Sequence, residues 1–249
     1  MTTAKEIISF LEELFPLSKR AAWDNTDGLV CGVTTNEVKR LILSIELRKN
    51  IIYEENDMII LHHPPVFGKD REITNHHYSP IKESQNPPVV YALHSRMDVV
   101  GFMNKAIGKK LLNDWIKDTK ILGDGTAIFI LEKETTLQKV TERIKSNLKI
   151  KNLNGIVKKT KIKKIAIHGG EGFNKHHIID AIDEDIDLYL AGDMTHHLAE
   201  FADRHPVTFI DIQHFTEQEG MNNLKSVLEK RFRNIDCEYI EQQAIWSDL

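Results

Sequence analysis

Cysteine is nearly absent: Cys31 and Cys237 are the only two in 249 residues. Two thiols supply neither a disulfide framework nor a cysteine-based zinc cluster, and their scarcity suits a reducing compartment, so the cytoplasm is the expected location. Long apolar runs are missing as well; none approaches the roughly 18 residues of a membrane span. The opening stretch MTTAKEIISFLEELF instead spaces Ile7, Ile8, Leu11, Leu14 and Phe15 along one face with acids between them. That spacing predicts an amphipathic helix rather than a signal peptide. Positive charge is not in excess either. A net charge of -4 excludes a uniformly basic nucleic-acid binder and leaves only a local patch.

What is present is the material of a globular core. Hydrophobic residues make up 41% of the chain, enough for one large domain or two intimate lobes. The apolar runs LILSI, MIILHH, VVYALHS, AIFIL, KIAIHGG, LYLAGD and VTFIDIQH are strand candidates. Helical patterns fall between them, at Lys5 to Phe15, Met103 to Leu112, Thr136 to Asn147, Lys175 to Ile182, Thr195 to Asp203 and Glu219 to Phe232. Such alternation predicts an α/β fold. Both halves share this layout, so the chain reads as a single domain of two similar lobes, approximately 1–120 and 121–249, joined across a lysine-rich stretch at 143–164.

The strand ends carry the chemistry. MIIL runs into His62 and His63, VVYAL into His94 and Asp98, KIAI into His168, LYLAG into Asp193, and VTFIDI into Gln213, His214 and Glu217. In open α/β sheets ligands lie beyond the carboxyl ends of the strands, where loops gather residues distant in sequence. His62 and His63 leave their strand at its end, so both can face one site despite being adjacent. Pro64 and Pro65 stiffen that exit and bias His63 away from helical backbone. Three imidazoles and two carboxylates, from His62, His63, Asp98, His214 and Glu217, exceed what one catalytic zinc uses. They suit two ions sharing a carboxylate and a nucleophilic water. Scattered structural histidines are the competing reading of the same residues.

Several segments in order resemble the NIF-three-like proteins, the type 2 GTP cyclohydrolase I homologues. WDNTDGLVCG is similar to that family's WDN-GLQVG segment, LHHPPVF to its HHP-hydrophobic segment and ALHSRMD to its AHTNLD segment. AGDMTHH is similar to the TGE/TGD-hydrophobic-x-HH segment, and QHFTEQEG to the terminal GHY-x-TE-x-x-G segment. The resemblance spans nearly the whole chain. It implies a NIF-three-like fold, two similar α/β lobes around a central dimetal cleft, with His62, His63, Asp98, His214 and Glu217 as ligands and Glu217 bridging. It also implies two divalent ions per chain (zinc, manganese, iron or cobalt) and a homo-oligomer, commonly a hexameric ring. Two departures stand out. His214 and Glu217 are three residues apart where the family has four, and WDNTDGLVCG carries an extra residue around Thr26 and Asp27.

Other residues have roles open at this level. His94 is expected to orient a ligand or contact substrate, with a plain structural histidine the alternative. Asp193, His196 and His197 are expected to line the cleft, with helix capping the alternative for Asp193. HGGEGF, lacking the Lys-Ser/Thr of a phosphate loop, reads as a close-packed turn rather than an anion site. His76, His77, His176, His177 and His205 join no constellation and read as surface residues. Trp23, Trp115 and Trp246 read as core or interface aromatics. The expected function is a metal-dependent hydrolase using a bridging water, with a nucleotide such as GTP as one substrate. The alternative is a metal-stabilised regulatory protein that binds nucleic acid or protein without turnover. Its support is the run from Arg143 to Lys164, which holds eight lysines and one arginine and no acid, though without interleaved aromatics a solvated linker face is the favoured reading of it.

Overall fold

A computed structural model describes residues 1–67 and 72–242; Trp246 lies outside them. Among the described residues the strands are β1 (Gly28–Cys31), β2 (Arg40–Ser44), β3 (Asp57–Leu61), β4 (Val66–Phe67), β5 (Glu72–Ile73), β6 (Val89–Ala92), β7 (Ile116–Ile121), β8 (Ala127–Thr136), β9 (Asn154–Ile156), β10 (Lys161–His168), β11 (Leu188–Ala191), β12 (Thr208–Asp211) and β13 (Asp236–Tyr239). The α-helices are α1 (Ala4–Leu14), α2 (Ser79–Glu83), α3 (His94–Val99), α4 (Phe102–Leu112), α5 (Leu137–Asn147), α6 (Lys175–Ile182), α7 (His196–Ala202) and α8 (Gln218–Arg231). This is the α/β architecture the alternation predicts, and each predicted helix is present. The chain divides into two compact units, Met1–Val100 together with the segment from Met221, and Gly101–Gly220.

The first unit holds a five-stranded sheet ordered β1-β6-β3-β2-β13, parallel except for β1. Every residue of β3 is buried, as a parallel strand covered on both faces requires. That is why DMIIL shows no alternation. Ile42, Ile59, Leu61 and Val90 pack with Leu47, Ile51 and Ile81 in one core cluster. Burying each such side chain contributes roughly 1.5–3 kcal/mol. Helix α1 starts on a capping box: Glu6 N–H donates to Thr3 Oγ1, and Thr3 N–H donates to Glu6 Oε2. Its Ile7 and Leu11 are buried, the face the spacing predicts.

The second unit holds a six-stranded sheet ordered β7-β8-β10-β11-β12-β9. Strands β10, β11 and β12 are parallel, and β7, β8 and β9 run antiparallel to their neighbours. One face is covered by α4 and α5 through Ile107, Leu111, Val140 and Ile144, which pack on Phe129, Ile165, Ile167 and Leu190. On the other face Ile178 and Ala181 of α6 pack with Phe173, Tyr189 and Phe209. The carboxyl ends of β10, β11 and β12 lie side by side, because His168, Ala191 and Asp211 are in register. Three of the polar strand endings therefore share one edge of this sheet. No helix among the described residues is long and apolar enough to cross a membrane.

Candidate metal centre

In the first unit the pair His62 and His63 follows directly on β3. Their N–H groups donate to Ser44 and Ile45 carbonyls at 3.1 and 2.8 Å, which holds the exit against β2. The two rings lie 4.9 Å apart, so the pleat no longer separates them. His62 is only 1% exposed, and its Nε2 stands 3.6 Å from Asp98 Oδ1. His63 Nδ1 stands 3.5 Å from Glu46 Oε1. Glu46 was not among the sequence candidates, although it follows LILSI and so carries the same strand-end signal.

Asp98 reaches this place on α3, one turn beyond His94. Asp24 Oδ2 lies 3.0 Å from His94 Nδ1 and accepts from Ser95 N–H at 3.2 Å. Burial works against the Asp24 carboxylate, but these partners outweigh it and hold the group below the usual carboxylate range. With Nδ1 engaged by the Asp24 carboxylate, Nε2 is the other ring nitrogen of His94. Its ring is 5.6 and 5.7 Å from those of His62 and His63, beside both. Helix α3 is anchored by Arg96, fully buried, whose Nε donates to Asp27 Oδ1 at 2.7 Å and whose Nη1 and Nη2 donate to Phe15 O and Tyr91 Oη. The segment WDNTDG thus positions α3 at two points, through Asp24 and Asp27. Asp27, at the place where the segment departs from the family pattern, belongs to this anchor.

In the second unit His214 and Glu217 follow β12. The stretch His214–Glu217 is a 3-10 turn, and His214 Nε2 lies 3.3 Å from Glu217 Oε2. A 3-10 helix has three residues per turn, so side chains three apart eclipse. The contracted spacing therefore still brings imidazole and carboxylate together. Gln213 enters the turn with φ +65° and ψ 151°, a backbone region that costs non-glycine residues about 1–3 kcal/mol. Asp211 Oδ1 holds it by accepting from Gln213 N–H at 2.7 Å. Asp193 Oδ2 lies 2.6 Å from His214 Nδ1. Burial lowers the His214 pKa, but Asp193 and Glu217 outweigh it and raise the group to about 11.

Glu217 is 5% exposed and lies against a glycine ledge after β10. A Cβ on Gly170, whose φ is +60°, would sit 2.0 Å from Glu217 Oε1. HGGEGF is a close-packed turn, as its sequence suggests: Gly169 N–H donates to Asn104 Oδ1 at 2.7 Å, and a Cβ on Gly172 would meet His168 O at 2.2 Å. The Asp193 carboxylate engages His214 rather than capping α7, whose N-cap is Thr195. His196 and His197 are exposed, with ring nitrogens 3.5 Å from Glu200 Oε1 and 3.2 Å from Thr195 Oγ1. His177 departs from the surface reading. It joins His168 and Asp124 in a cluster that the sequence did not signal, because Asp124 sits in a turn 53 residues away.

The chain and its fold have relatives. The family model described as Duf34/NIF3 (NGG1p interacting factor 3) matches residues 2–245. The chain belongs to the Duf34/NIF3 family. Among its Duf34/NIF3 relatives, a Clostridium perfringens protein named GTP cyclohydrolase 1 type 2 homolog is 30% identical over 253 residues, covering 94% of each chain. A Campylobacter jejuni protein of the same name is 28% identical over 242 residues, again covering 94% of each. The crystal structure of a Staphylococcus aureus hypothetical protein superposes with a TM-score of 0.85 at 22% identity, over 99% of each chain, and shows the shared fold.

The lysine-rich run finds its acids elsewhere in the second unit. Lys158 pairs with Asp203 at 2.6 Å, Lys159 with Asp187 at 2.8 Å, Lys161 with Glu134 at 3.7 Å and Arg143 with Asp114 at 2.9 Å. Lys163 Nζ donates to Glu132 O at 2.9 Å, and Lys164 Nζ to Glu184 O. Trp115 packs under the Arg143 guanidinium, 3.8 Å from ring centre, whereas Trp23 is 63% exposed.

Proposed function

We propose that this Duf34/NIF3 protein binds two divalent ions per chain through His62, His63, Asp98, His214 and Glu217, with Glu217 bridging, and acts as a metal-dependent hydrolase. The observation that carries this reading is the local pairing of donors: His214 Nε2 stands 3.3 Å from the buried Glu217 carboxylate, while Asp193 holds the opposite ring nitrogen at 2.6 Å. An imidazole oriented by a carboxylate behind it is the usual support of a metal-ligating histidine. His62 and Asp98 repeat the imidazole and carboxylate pairing, with His94 backed by Asp24 beside them. The donors fit the group: a mixed nitrogen and oxygen set suits zinc, manganese, iron or cobalt. When bound, two such ions supply Lewis-acid polarisation and activation of water.

The chain's own residues then divide the remaining work. Asp193 and Asp24 fix ring orientations. Gly170 leaves room for Glu217, and His94, with Nδ1 committed to Asp24, offers Nε2 as a proton acceptor next to His62 and His63. A nucleotide is a candidate substrate, since relatives carry the name GTP cyclohydrolase 1 type 2 homolog. The family resemblance supports assembly of several copies, a hexameric ring included. The lysines of 158–164 are engaged with acids and carbonyls of the same unit, which favours the hydrolase over a phosphate-docking protein.

The test is metal analysis of purified protein alongside a turnover screen of nucleotides, phosphoesters and cyclic amides. Near two ions per chain at these ligands is expected, with Glu217→Gln weakening both and chelation abolishing turnover. Normal activity in metal-free protein would refute the assignment.

A further inference from the structure

The second unit contains a second gathering of metal-capable side chains, built from three elements and distinct from His214 and Glu217. Asp124 lies in the turn between β7 and β8, His168 ends β10, and His177 lies on the first turn of α6. One donor atom from each falls within 4.8 Å of the others. Asp124 Oδ2 stands 2.6 Å from His177 Nδ1 and 3.9 Å from His168 Nδ1. These spacings bracket the separation of about 3.3 Å between neighbouring ligand atoms in a tetrahedral site with bonds of about 2.0–2.2 Å.

The surroundings are already arranged as an outer shell. Thr126 N–H donates to Asp124 Oδ1 at 2.9 Å, and its hydroxyl donates to Asp124 Oδ2 at 2.9 Å. That hydroxyl has one proton, so its 2.8 Å contact with His168 Nδ1 is accepted from the ring. Asp124 is thereby held at both oxygens by Thr126, and the two Nδ1 atoms are gathered on the Asp124–Thr126 pair. Partners of this kind fix ligands and are as much a part of a metal site as the ligands themselves.

We propose that Asp124 Oδ2, His168 Nδ1 and His177 Nδ1 form a separate site for one borderline divalent ion, zinc, cobalt(II) or iron(II). Two nitrogens and one oxygen select such ions over calcium or magnesium, which take all-oxygen shells. The ion takes the place now held by the Nδ1 protons, and each neutral ring then carries its proton on Nε2. The rings lie stacked, 4.0 Å apart and tilted by 28°, so their in-plane lone pairs converge only once one ring turns. His177 is the ring that turns. Its side chain is 28% exposed on a surface helix, whereas His168 is 10% exposed at a strand end. Bound there, the ion ties the β7–β8 turn, the end of β10 and α6 together, next to the Gly169–Gly170 ledge that holds Glu217.

The 249-residue chain, stripped by chelator, is reloaded with Co²⁺ alone, gel-filtered to remove weakly held metal, and assayed for cobalt content. Four proteins are compared: wild type, His177→Ala, a His62→Ala/His63→Ala double variant, and the triple combination. The expected result is that His177→Ala removes one ion per chain in both backgrounds. Equal cobalt content with and without His177 in both backgrounds overturns the proposal. Loss on His177→Ala but none on the double variant would instead defeat the dimetal reading and leave this site standing. Should His177→Ala fail to fold, wild-type crystals measured at the cobalt edge decide: an anomalous peak is expected within bonding distance of Asp124 and His177, and its absence refutes the site.

Discussion

Single residues decide whether the donors meet. Gly170 has a left-handed φ of +60°, and its missing Cβ is the space that Glu217 Oε1 occupies. Gly170→Ala would introduce strain of about 1–2 kcal/mol for an L residue in that region, and it would push the Glu217 carboxylate aside. The expected outcome is a melting temperature reduced by a few degrees and a metal content cut as in Glu217→Gln, read by elemental analysis after gel filtration. Wild-type metal content in Gly170→Ala would mean that Glu217 is not held where the ledge puts it. The imidazoles were visible in the sequence as strand endings. Their orienting carboxylates were less so: Asp193 was marked, but Asp24 was seen only as part of a motif and Glu46 not at all.

At the scale of elements, α3 places both His94 and Asp98, and its position depends on a buried charge. Arg96 and Asp27 both have fully buried side chains. Removing one partner of a buried pair leaves an uncompensated charge, at a cost of about 3–5 kcal/mol. Arg96→Met is therefore expected to lower unfolding stability by that amount in urea denaturation, and adding Asp27→Asn should recover part of it. A loss below about 1 kcal/mol, the range of solvated ion pairs, would show that the pair does not anchor the helix. The sequence marked neither α3 nor the edge strands. Helix α3 has only six residues, too short to repeat a helical period, and β7, IKDTKI, is half-exposed and charged at Lys117, Asp118 and Lys120, as suits a sheet edge.

For the molecule as a whole, if His62 and Glu217, 155 residues apart in sequence, are ligands as proposed, metal binding is a term in the folding equilibrium. An ion at 100 times its dissociation constant adds about 2.7 kcal/mol. For a chain of this size that corresponds to roughly 5–11 °C in melting temperature. Chelation should lower the wild-type melting temperature by an amount in this range, and His62→Ala should largely abolish the response. An equal response in both proteins, measured by scanning calorimetry, would remove His62 from the ligand set.

Local pattern determined the parts of this protein that depend on neighbours in sequence. Apolar runs of four to eight residues, 3.6-residue spacing and strand-ending histidines report burial and backbone geometry directly, so the α/β class, the long helices and the pair His62 and His63 were legible in advance. Tertiary structure decided what depends on through-space meeting. The three-residue step from His214 to Glu217 works because that segment is a 3-10 turn, held at its entry by Asp211, which accepts from Gln213 N–H, and by the Thr216 hydroxyl, which donates to Gln213 O. The lysines of 158–164 appear unopposed in sequence, yet Lys158, Lys159 and Lys161 meet Asp203, Asp187 and Glu134, carried on other segments of the same unit. Strand β13 pairs with β2 nearly 200 residues earlier, and Asp124 meets His177 from a turn. Charge and hydrogen bonding act over a few ångströms of space whatever the separation along the chain, and for these contacts only the packed fold determines which groups are near.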